Sequence, residues 1–466
     1  MKELLKDEKL FKIVKSNYGN IAQFISIDPN NNTQVKLAII NGYNHYKFQS
    51  IKEAILLLID SSRSKKVNIR SFTKESLKGH SLYYGKSKED IDEILHIIKN
   101  NASEGKYSII NENIDVMDGG VSGVVLGNIV EFSPDDTPKC VDKDGVCRLN
   151  KQLAYSLIHT IYGFTPNINF SKEYRVEFSI HPNREGVNKD HTIIWEYEKC
   201  KIYNYDEKII WPNNFSKFIG DKVFGLLIAS YLGFNVPYTT VISRRVAPFS
   251  FGKKTGLHEK WLRTCPIVKE PGKYTTSSTW SDPFFLMLDE EKKGNEDVNI
   301  ASIISQDSVN AKYSGACIIE KDRNEDIIEG VIGKGDAFMI GSDSYDNLPS
   351  NVLNRVAEVN NKIRSNMHIL GDQISIEWVY DGDKVWVVQL NQLQSKASFD
   401  SHTIVDGMAK KFIDFDVKKG LEELRALIVS VKDKDIGIRL IGKVGITSHF
   451  GDVLRQNNIP SYIINE

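Results

Sequence analysis

Along the first third of the chain, short apolar runs alternate with longer stretches whose apolar residues recur every three or four positions. QVKLAII (35–41) and KVNIRSF (66–72) have the length and β-branched content of strands. IKEAILLLIDSS (51–62) and KEDIDEILHIIKN (88–100) have helical spacing, the second with its acids at the front, where a helix dipole favours them. YSIINENIDVMDGGVSGVVLGNIVEF (107–132) is a glycine-punctuated β region and LNKQLAYSLIHTIYGF (149–164) a helix. YRVEFSIHP and HTIIWEYEK read as two more strands, and DEKIIWPNNFSKF (206–218), rich in Asn and Pro, as a linker.

The second half opens with GDKVFGLLIASYLGFNVPYTTVISRR (220–245): a glycine entry, an apolar helix, a Gly break and a strand after Pro237. EEKKGNED (290–297) is a polar loop, followed by β-rich ASIISQDSVNAKYSGACIIEKD (301–322) and EGVIGKGDAFMIG (329–341). A helix is expected over 348–370, then a hairpin QISIEWVYDGDKVWVVQLNQL (373–393) turning at Asp381-Gly382. YSIINENIDVMDGGVSGVV echoes ASIISQDSVNAKYSGACII, and RVEFSIHP with HTIIWEYE sits where the 373–393 hairpin sits. Either the chain contains a divergent duplication or β hairpins of unrelated origin look alike. No shorter repeat is visible.

With 466 residues the chain is long enough for two or three domains, and at 41% hydrophobic and 26% charged its composition is that of globular proteins. Lys+Arg (60) nearly cancels Asp+Glu (61), which argues against a nucleic-acid partner. The start, MKELLKDEKLFKIVK, lacks the apolar core of a signal peptide, and no apolar run is long enough to span a bilayer. Five cysteines lie without zinc or redox spacing, Cys140 and Cys147 being the nearest two. The expectation is a cytoplasmic protein with reduced thiols and no membrane contact.

Candidate chemistry starts at the hairpin. If Glu377 and Gln389 face one way, a carboxylate and an amide oxygen converge as hard ligands suited to Mg²⁺ on nucleotide phosphates, although an ordinary amphipathic hairpin fits the same letters. Gly330, Gly333 and Gly335 allow close backbone approach to a ligand, with Asp336 placed to accept from a ribose hydroxyl. Lys222, at the start of an apolar helix, is either a phosphate ligand or a solvated lysine. Lys269 in CPIVKEPG reads as a lysine on an apolar strand, costly unless paired. Near the C-terminus, VGITSHFGDVLRQNNIPSYII places His449 ahead of an amphipathic run; alone, such a Thr-Ser-His triplet is usually a surface loop.

Together, GDKVFGLLIASYLGFNVPYTTVIS, ISQDSVNAKYSGACI, EGVIGKGDAFMIG and ISIEWVYDGDKVWVVQLNQL resemble the nucleotide-binding, ATP-grasp domain of the pyruvate phosphate dikinase and phosphoenolpyruvate synthase group. GITSHFGDVLRQNNIPSYII resembles the same group's swivelling phosphohistidine domain, and ALIVSVKDKDIG (426–437) looks like the strand and loop before it. The resemblance implies ATP and Mg²⁺ as cofactors, with Lys222 on phosphate, Gln306 near adenine, Asp336 near the ribose, and Glu377 and Gln389 on the metal. It implies His449 as the phosphorylated residue, with Thr447 and Ser448 on the phosphate or fixing its tautomer. Departures are Asn391 where the family has arginine, Lys269 in place of the arginine of the family's V-R-S-S strand, and Phe450 and Gly451 where alanines are usual.

These readings imply an α+β chain of three parts. Residues 1–205 form an N-terminal α/β module, acceptor-binding or a divergent ATP-grasp duplicate; 215–398 form an ATP-grasp-like nucleotide-binding domain; 415–466 form an abbreviated swivelling histidine domain. In the first module Arg70 takes the arginine place of the V-R-S-S strand, and Glu177 and Glu196 stand on later strands. Glu177 with His181 and His191 also reads as a metal set, less naturally than as packed strand residues, and Asp-Gly-Gly 118–120 as a tight turn. No later sequence forms a phosphoenolpyruvate barrel, so the acceptor is expected to be another small molecule or a protein partner. The expected activity is dikinase-type phosphotransfer through His449. The rivals are an ATP-grasp ligase working through an acyl phosphate, and a decayed nucleotide-sensing module.

Overall fold

The structure is a computed structural model that describes all residues except 1–5, 32–33, 44–46, 74–80, 138–142, 202–205, 293–299, 324, 342–345, 394–401, 433 and 465–466. Cys140 and most of the 290–297 loop therefore lie outside the described residues. The chain is α+β and divides into two compact units, Met1–Asp206 and Glu207–Glu466. Among the described residues no helix is long and apolar enough to cross a membrane.

In Met1–Asp206 the first sheet runs in the order Leu37–Ile39, Phe24–Ile27, Tyr107–Glu112, Val67–Phe72, Ser81–Lys86, all antiparallel. Helices Ile51–Ser61 and Ile91–Ser103 bury Ile55, Leu58, Ile94 and Ile98 against Ile25, Ile69 and Ile110 of this sheet. The second sheet runs Asp190–Lys199, Tyr174–Glu185, Val121–Leu126, Ile129–Pro134, Cys147–Asn150. The strand Ser81–Lys86 buries none of its residues fully and lacks apolar alternation, so only its Leu-Tyr-Tyr run hints at a strand in the sequence.

Glu207–Glu466 repeats this plan. Its first sheet runs Phe249–Phe251, Thr239–Ser243, Ile300–Asp307, Lys260–Pro266, Thr276–Ser277, so each unit's first sheet reads second, first, fifth, third, fourth in chain order. Its second sheet runs Val385–Gln392, Gln373–Tyr380, Tyr313–Glu320, Ile327–Ile332. The registers coincide in detail. Glu377 faces Gln389 on one neighbour and Ala316 on the other, and Ala316 faces Glu329. Glu177 faces Glu196 and Val124, and Val124 faces Glu131. Each outer hairpin slips by one residue at the same place: Trp378 pairs with Val387, leaving Val388 as a bulge, and Phe178 pairs with Ile194, leaving Trp195. The two units thus share the order of the first sheet, the order of four strands in the second and the position of the bulge, while Cys147–Asn150 is a fifth strand of the second sheet in the first unit alone.

The linker region is partly helical. Asn213 caps Asn214–Ile219, its side chain accepting from Ser216 N at 2.8 Å. Gly220, at φ 100°, then lets the chain turn into helix Asp221–Tyr231, where an added Cβ would meet Cys265 Cβ at 2.7 Å. A third, four-stranded sheet runs Thr403–Val405, Ser461–Ile464, Ile436–Ile441, Lys411–Asp416, with the last three strands parallel. The ALIVSV run belongs to helix Leu421–Val431 rather than to a strand. Leu424, Ile428 and Val431 recur at helical spacing and are buried against this sheet, so period overrode the β-branched content.

Candidate functional site

The hairpin Gln373–Tyr380 and Val385–Gln392 turns at Gly382 (φ 102°), with Asp381 accepting from Asp383 N and Lys384 N and from Trp386 Nε1 at 2.7 Å. This fixed turn sets Glu377 directly opposite Gln389. Both line a cavity of about 300 Å³ together with Asp221, Lys222, Arg263, Lys269, Asn391 and His449. A second cavity of about 80 Å³ shares Arg263, Asp336 and Glu377 and continues to Trp261, Gln306 and Gly335.

Lys222 enters from the first turn of Asp221–Tyr231, its Nζ donating to the Thr264 carbonyl at 3.3 Å. Burial holds its ammonium below the ordinary lysine value, opposed by Cys265 and Glu377. Burial pushes the Cys265 thiol up to about 11, so this cavity wall carries no thiolate nucleophile near neutral pH. Burial also raises the Asp221 carboxyl, against the hydrogen bond of Ser216 and the charge of Lys269.

Arg263, which no sequence motif marks, lines both cavities. Its strand, KWLRTCP, alternates so that Leu262 and Thr264 face one side while Arg263 faces the cavities. Arg263 Nη1 donates to the carbonyl of the bulge residue Val388 at 3.0 Å and lies 3.8 Å from Glu377 Oε2, while its buried Nε has no partner. Lys269 is not on a strand, contrary to the sequence reading, because the strand ends at Pro266; Lys269 lies in the following loop. That loop is tied to the C-terminal elements by Gln456 Nε2 to the Lys269 carbonyl at 2.8 Å and by Arg425 to the Pro271 carbonyl.

Gln306 is buried and donates to Thr239 Oγ1 at 3.1 Å. The glycine loop is fastened by Ser314, whose hydroxyl donates to the Gly333 carbonyl at 2.6 Å, while Gly335 packs so closely that a Cβ would meet Ser314 Oγ at 2.8 Å. Gly333 adopts φ 79° and lines neither cavity; Asp336 starts the short helix Asp336–Met339 and lines both.

His449 is the first residue of helix His449–Gln456 and reaches the larger cavity. Thr447 and Ser448 line neither cavity. Thr447 N and Oγ1 donate to Glu329 Oε2 at 2.8 and 2.6 Å, Ile446 N donates to Glu329 Oε1 at 3.0 Å, and Ser448 Oγ donates to the Gly445 carbonyl at 2.7 Å. Both hydroxyls therefore hold the turn before His449. Phe450 and Gly451 have packing reasons: Phe450 is fully buried in the core of the third sheet, and a Cβ on Gly451 would meet the Ile446 carbonyl at 2.2 Å.

In the N-terminal unit the metal set is not assembled. His181 Nδ1 meets Asp118 Oδ2 at 3.0 Å and its Nε2 meets Ser179 Oγ at 2.7 Å; His191 bonds the His181 carbonyl and stacks on Phe164; Glu177 pairs with Arg175. Among the described residues no group of three His, Cys, Asp or Glu could hold a metal. Asp118 instead closes the 118–120 turn by accepting from Gly120 N at 3.0 Å. Arg70 is spent on Asp7 (2.6 Å) and Asn111 (3.1 Å).

No family model matches the chain, and no curated protein matches it. Among solved structures it is similar to a D-alanine–D-alanine ligase from Bacillus anthracis complexed with ATP, at 14% identity and TM-score 0.26, over 38% of this chain and 57% of that one. It is also similar to the macrocyclase MdnB from Microcystis aeruginosa, at 11% identity and TM-score 0.22, over 39% and 54%. A RiPP-associated ATP-grasp ligase from Chryseobacterium gregarium matches at 12% identity and TM-score 0.22, over 38% and 53%. The chain spans a little over half the length of these proteins, and at such scores none of the likenesses assigns it an activity.

Proposed function

We propose that the Glu207–Glu466 unit is an ATP- and Mg²⁺-dependent phosphotransferase of the ATP-grasp type, in which His449 accepts a phosphoryl group from the nucleotide and passes it to a small-molecule or protein acceptor. The observation that supports this reading is that His449 lines the same cavity as Lys222, Arg263, Lys269, Glu377 and Gln389. The donor set fits a nucleotide polyphosphate: Lys222 has one carbonyl partner for its three donors, and Arg263 Nε is buried and unpartnered. Glu377 and Gln389, opposite each other, supply the oxygen ligands that Mg²⁺ prefers, and the ion would neutralise phosphate charge there. The smaller cavity, with Trp261, Gln306 and Asp336, suits the base and ribose.

In the dikinase reaction the His449 imidazole attacks the β-phosphorus. An N–P bond forms, the bond from phosphorus to the α,β-bridging oxygen breaks, and AMP leaves with the electron pair. Lys222, Arg263 and Lys269 offset the charge that builds on the phosphate oxygens. The terminal phosphate of the enzyme-bound pyrophosphoryl group then goes to water or phosphate, leaving phosphohistidine.

A second reading uses the same nucleotide half. An ATP-grasp ligase transfers the γ-phosphoryl to a carboxylate, releases ADP and joins the acyl phosphate to an amine. Proteins titled as ligases are among the similar solved structures, and the cation set around Glu377 serves this reaction equally, without a histidine. Chromatographic analysis of nucleotide products separates the two. AMP formation lost in His449→Ala supports the phosphotransferase, and ADP formation retained in His449→Ala supports the ligase.

A further inference from the structure

His449 has a carboxylate partner on its own helix. Asp452 follows three residues later on His449–Gln456, so the two side chains share a face. His449 Nδ1 lies 3.6 Å from Asp452 Oδ2 and is buried without a partner inside hydrogen-bond range. The other carboxylate oxygen takes Arg455 Nη2 at 3.0 Å, and Arg455, itself buried, anchors Nη1 on the Ile446 carbonyl at 3.0 Å. Burial alone pushes the Asp452 carboxyl up, but the charge of Lys269, the adjacent imidazole and Arg455 hold it well below the usual carboxylate range. Gly272, at φ 71°, brings the Lys269 loop against the ring, where a Cβ would stand 3.3 Å from His449 Cδ2. A flip of the ring would exchange Nδ1 for Cδ2 and put carbon against the carboxylate. The neighbouring hydroxyls are committed elsewhere, Thr447 to Glu329 and Ser448 to Gly445.

We propose that Asp452 is a positioning residue for His449: by facing Nδ1 it holds the proton on that nitrogen and leaves the Nε2 lone pair as the nucleophile. The consequence for phosphotransfer rests on the reading of His449 as phosphoryl acceptor; the tautomer does not. When Nε2 forms its bond to phosphorus and the P–O electron pair departs with AMP, the ring, still carrying the Nδ1 proton, becomes positively charged. An ionised carboxylate beside Nδ1 gains attraction as that charge appears, so it favours the transition state over the ground state. In hydrolase triads a carboxylate at hydrogen-bond distance orients a catalytic imidazole in this sense; here the 3.6 Å separation must close for the same bond to form.

The test uses the full chain labelled with ¹⁵N-histidine, with the His449 resonances assigned by their loss in His449→Gln. Nitrogen shifts and two-bond couplings should report the Nδ1–H tautomer in the wild type and a shift toward Nε2–H in Asp452→Asn, with return toward Nδ1–H in Asp452→Glu. Under Mg-ATP the phosphoryl group should appear on Nε2, and Asp452→Asn should slow its appearance about 10- to 100-fold at saturating nucleotide. An unchanged tautomer in Asp452→Asn overturns the proposal, as does a changed tautomer with an unchanged rate. If even the wild type takes up no phosphate, the acceptor reading fails, and the tautomer comparison still decides whether Asp452 positions the ring. Melting curves on Asp452→Asn and Asp452→Glu separate these results from misfolding.

Discussion

Glu329→Gln is the most informative single change outside the cavity. The Glu329 carboxylate is buried and accepts three hydrogen bonds from the turn that carries His449: Ile446 N at 3.0 Å, Thr447 N at 2.8 Å and Thr447 Oγ1 at 2.6 Å. Glutamine keeps one acceptor oxygen and puts an NH₂ where two of these donors point. The Thr447 hydroxyl can rotate away, but its backbone N–H cannot. One orphaned buried donor costs about 1–3 kcal/mol, and the loss of charge on the remaining bonds adds about 1 kcal/mol, a total of about 2–4 kcal/mol. That is roughly a 30- to 700-fold rise in the opening of this turn. Hydrogen exchange at the Ile446 and Thr447 amides should accelerate by that factor, while amides of strand Gln373–Tyr380 keep their protection. Equal exchange in variant and wild type would refute the assignment of Glu329 as the clamp of the His449 turn.

Other changes probe separate parts of the account. Gly225→Ala should cost about 1–3 kcal/mol in urea unfolding, because its Cβ would stand 2.0 Å from the Leu390 carbonyl and push helix Asp221–Tyr231 off the hairpin; a loss below about 0.5 kcal/mol would contradict that packing. Calorimetric titration with ATP should find one site per chain, weakened about 10- to 150-fold by Arg263→Met and unchanged by Arg70→Met, whose guanidinium is already spent on Asp7. Two equivalent sites would contradict the asymmetry between the units. The lowered folded-state pKa of Asp452 contributes stability above the unfolded aspartate value of about 3.9 and loses it as pH falls further. Urea midpoints of wild type should therefore exceed those of Asp452→Asn near pH 7, with the margin closing in acid; a margin independent of pH would refute the charge argument.

Much of the fold is legible where local pattern and tertiary role agree. Helix Ile51–Ser61 and the 373–393 hairpin follow directly from apolar spacing and the Asp-Gly turn. The misses share a cause, since side chains are placed by register rather than by type. Arg263 is invisible as a site residue until its strand is paired with Ile300–Asp307 and the bulge at Val388 turns a carbonyl toward it. CPIV reads as a strand that would carry Lys269, yet Pro266 ends the ladder. Thr447 and Ser448 look like phosphate ligands beside a histidine, but a buried carboxylate 118 residues earlier for Thr447, and the Gly445 carbonyl for Ser448, claim their hydroxyls. Asp452 had a signal that was available, its i+3 spacing from His449 on an amphipathic helix. The likeness of the two units shows in the sequence only as an echo, because they share strand order and register more than residues.

The central claim is that His449 carries a phosphoryl group, and the intact mass of the pure chain after incubation with Mg-ATP tests it most directly. The account requires a gain of about one or two phosphoryl groups, labile in acid, stable in base and absent from His449→Ala. Nucleotide bound with no mass gain, at saturating ATP and across neutral pH, would contradict it and leave His449 as a structural residue at the edge of a ligase-type cavity.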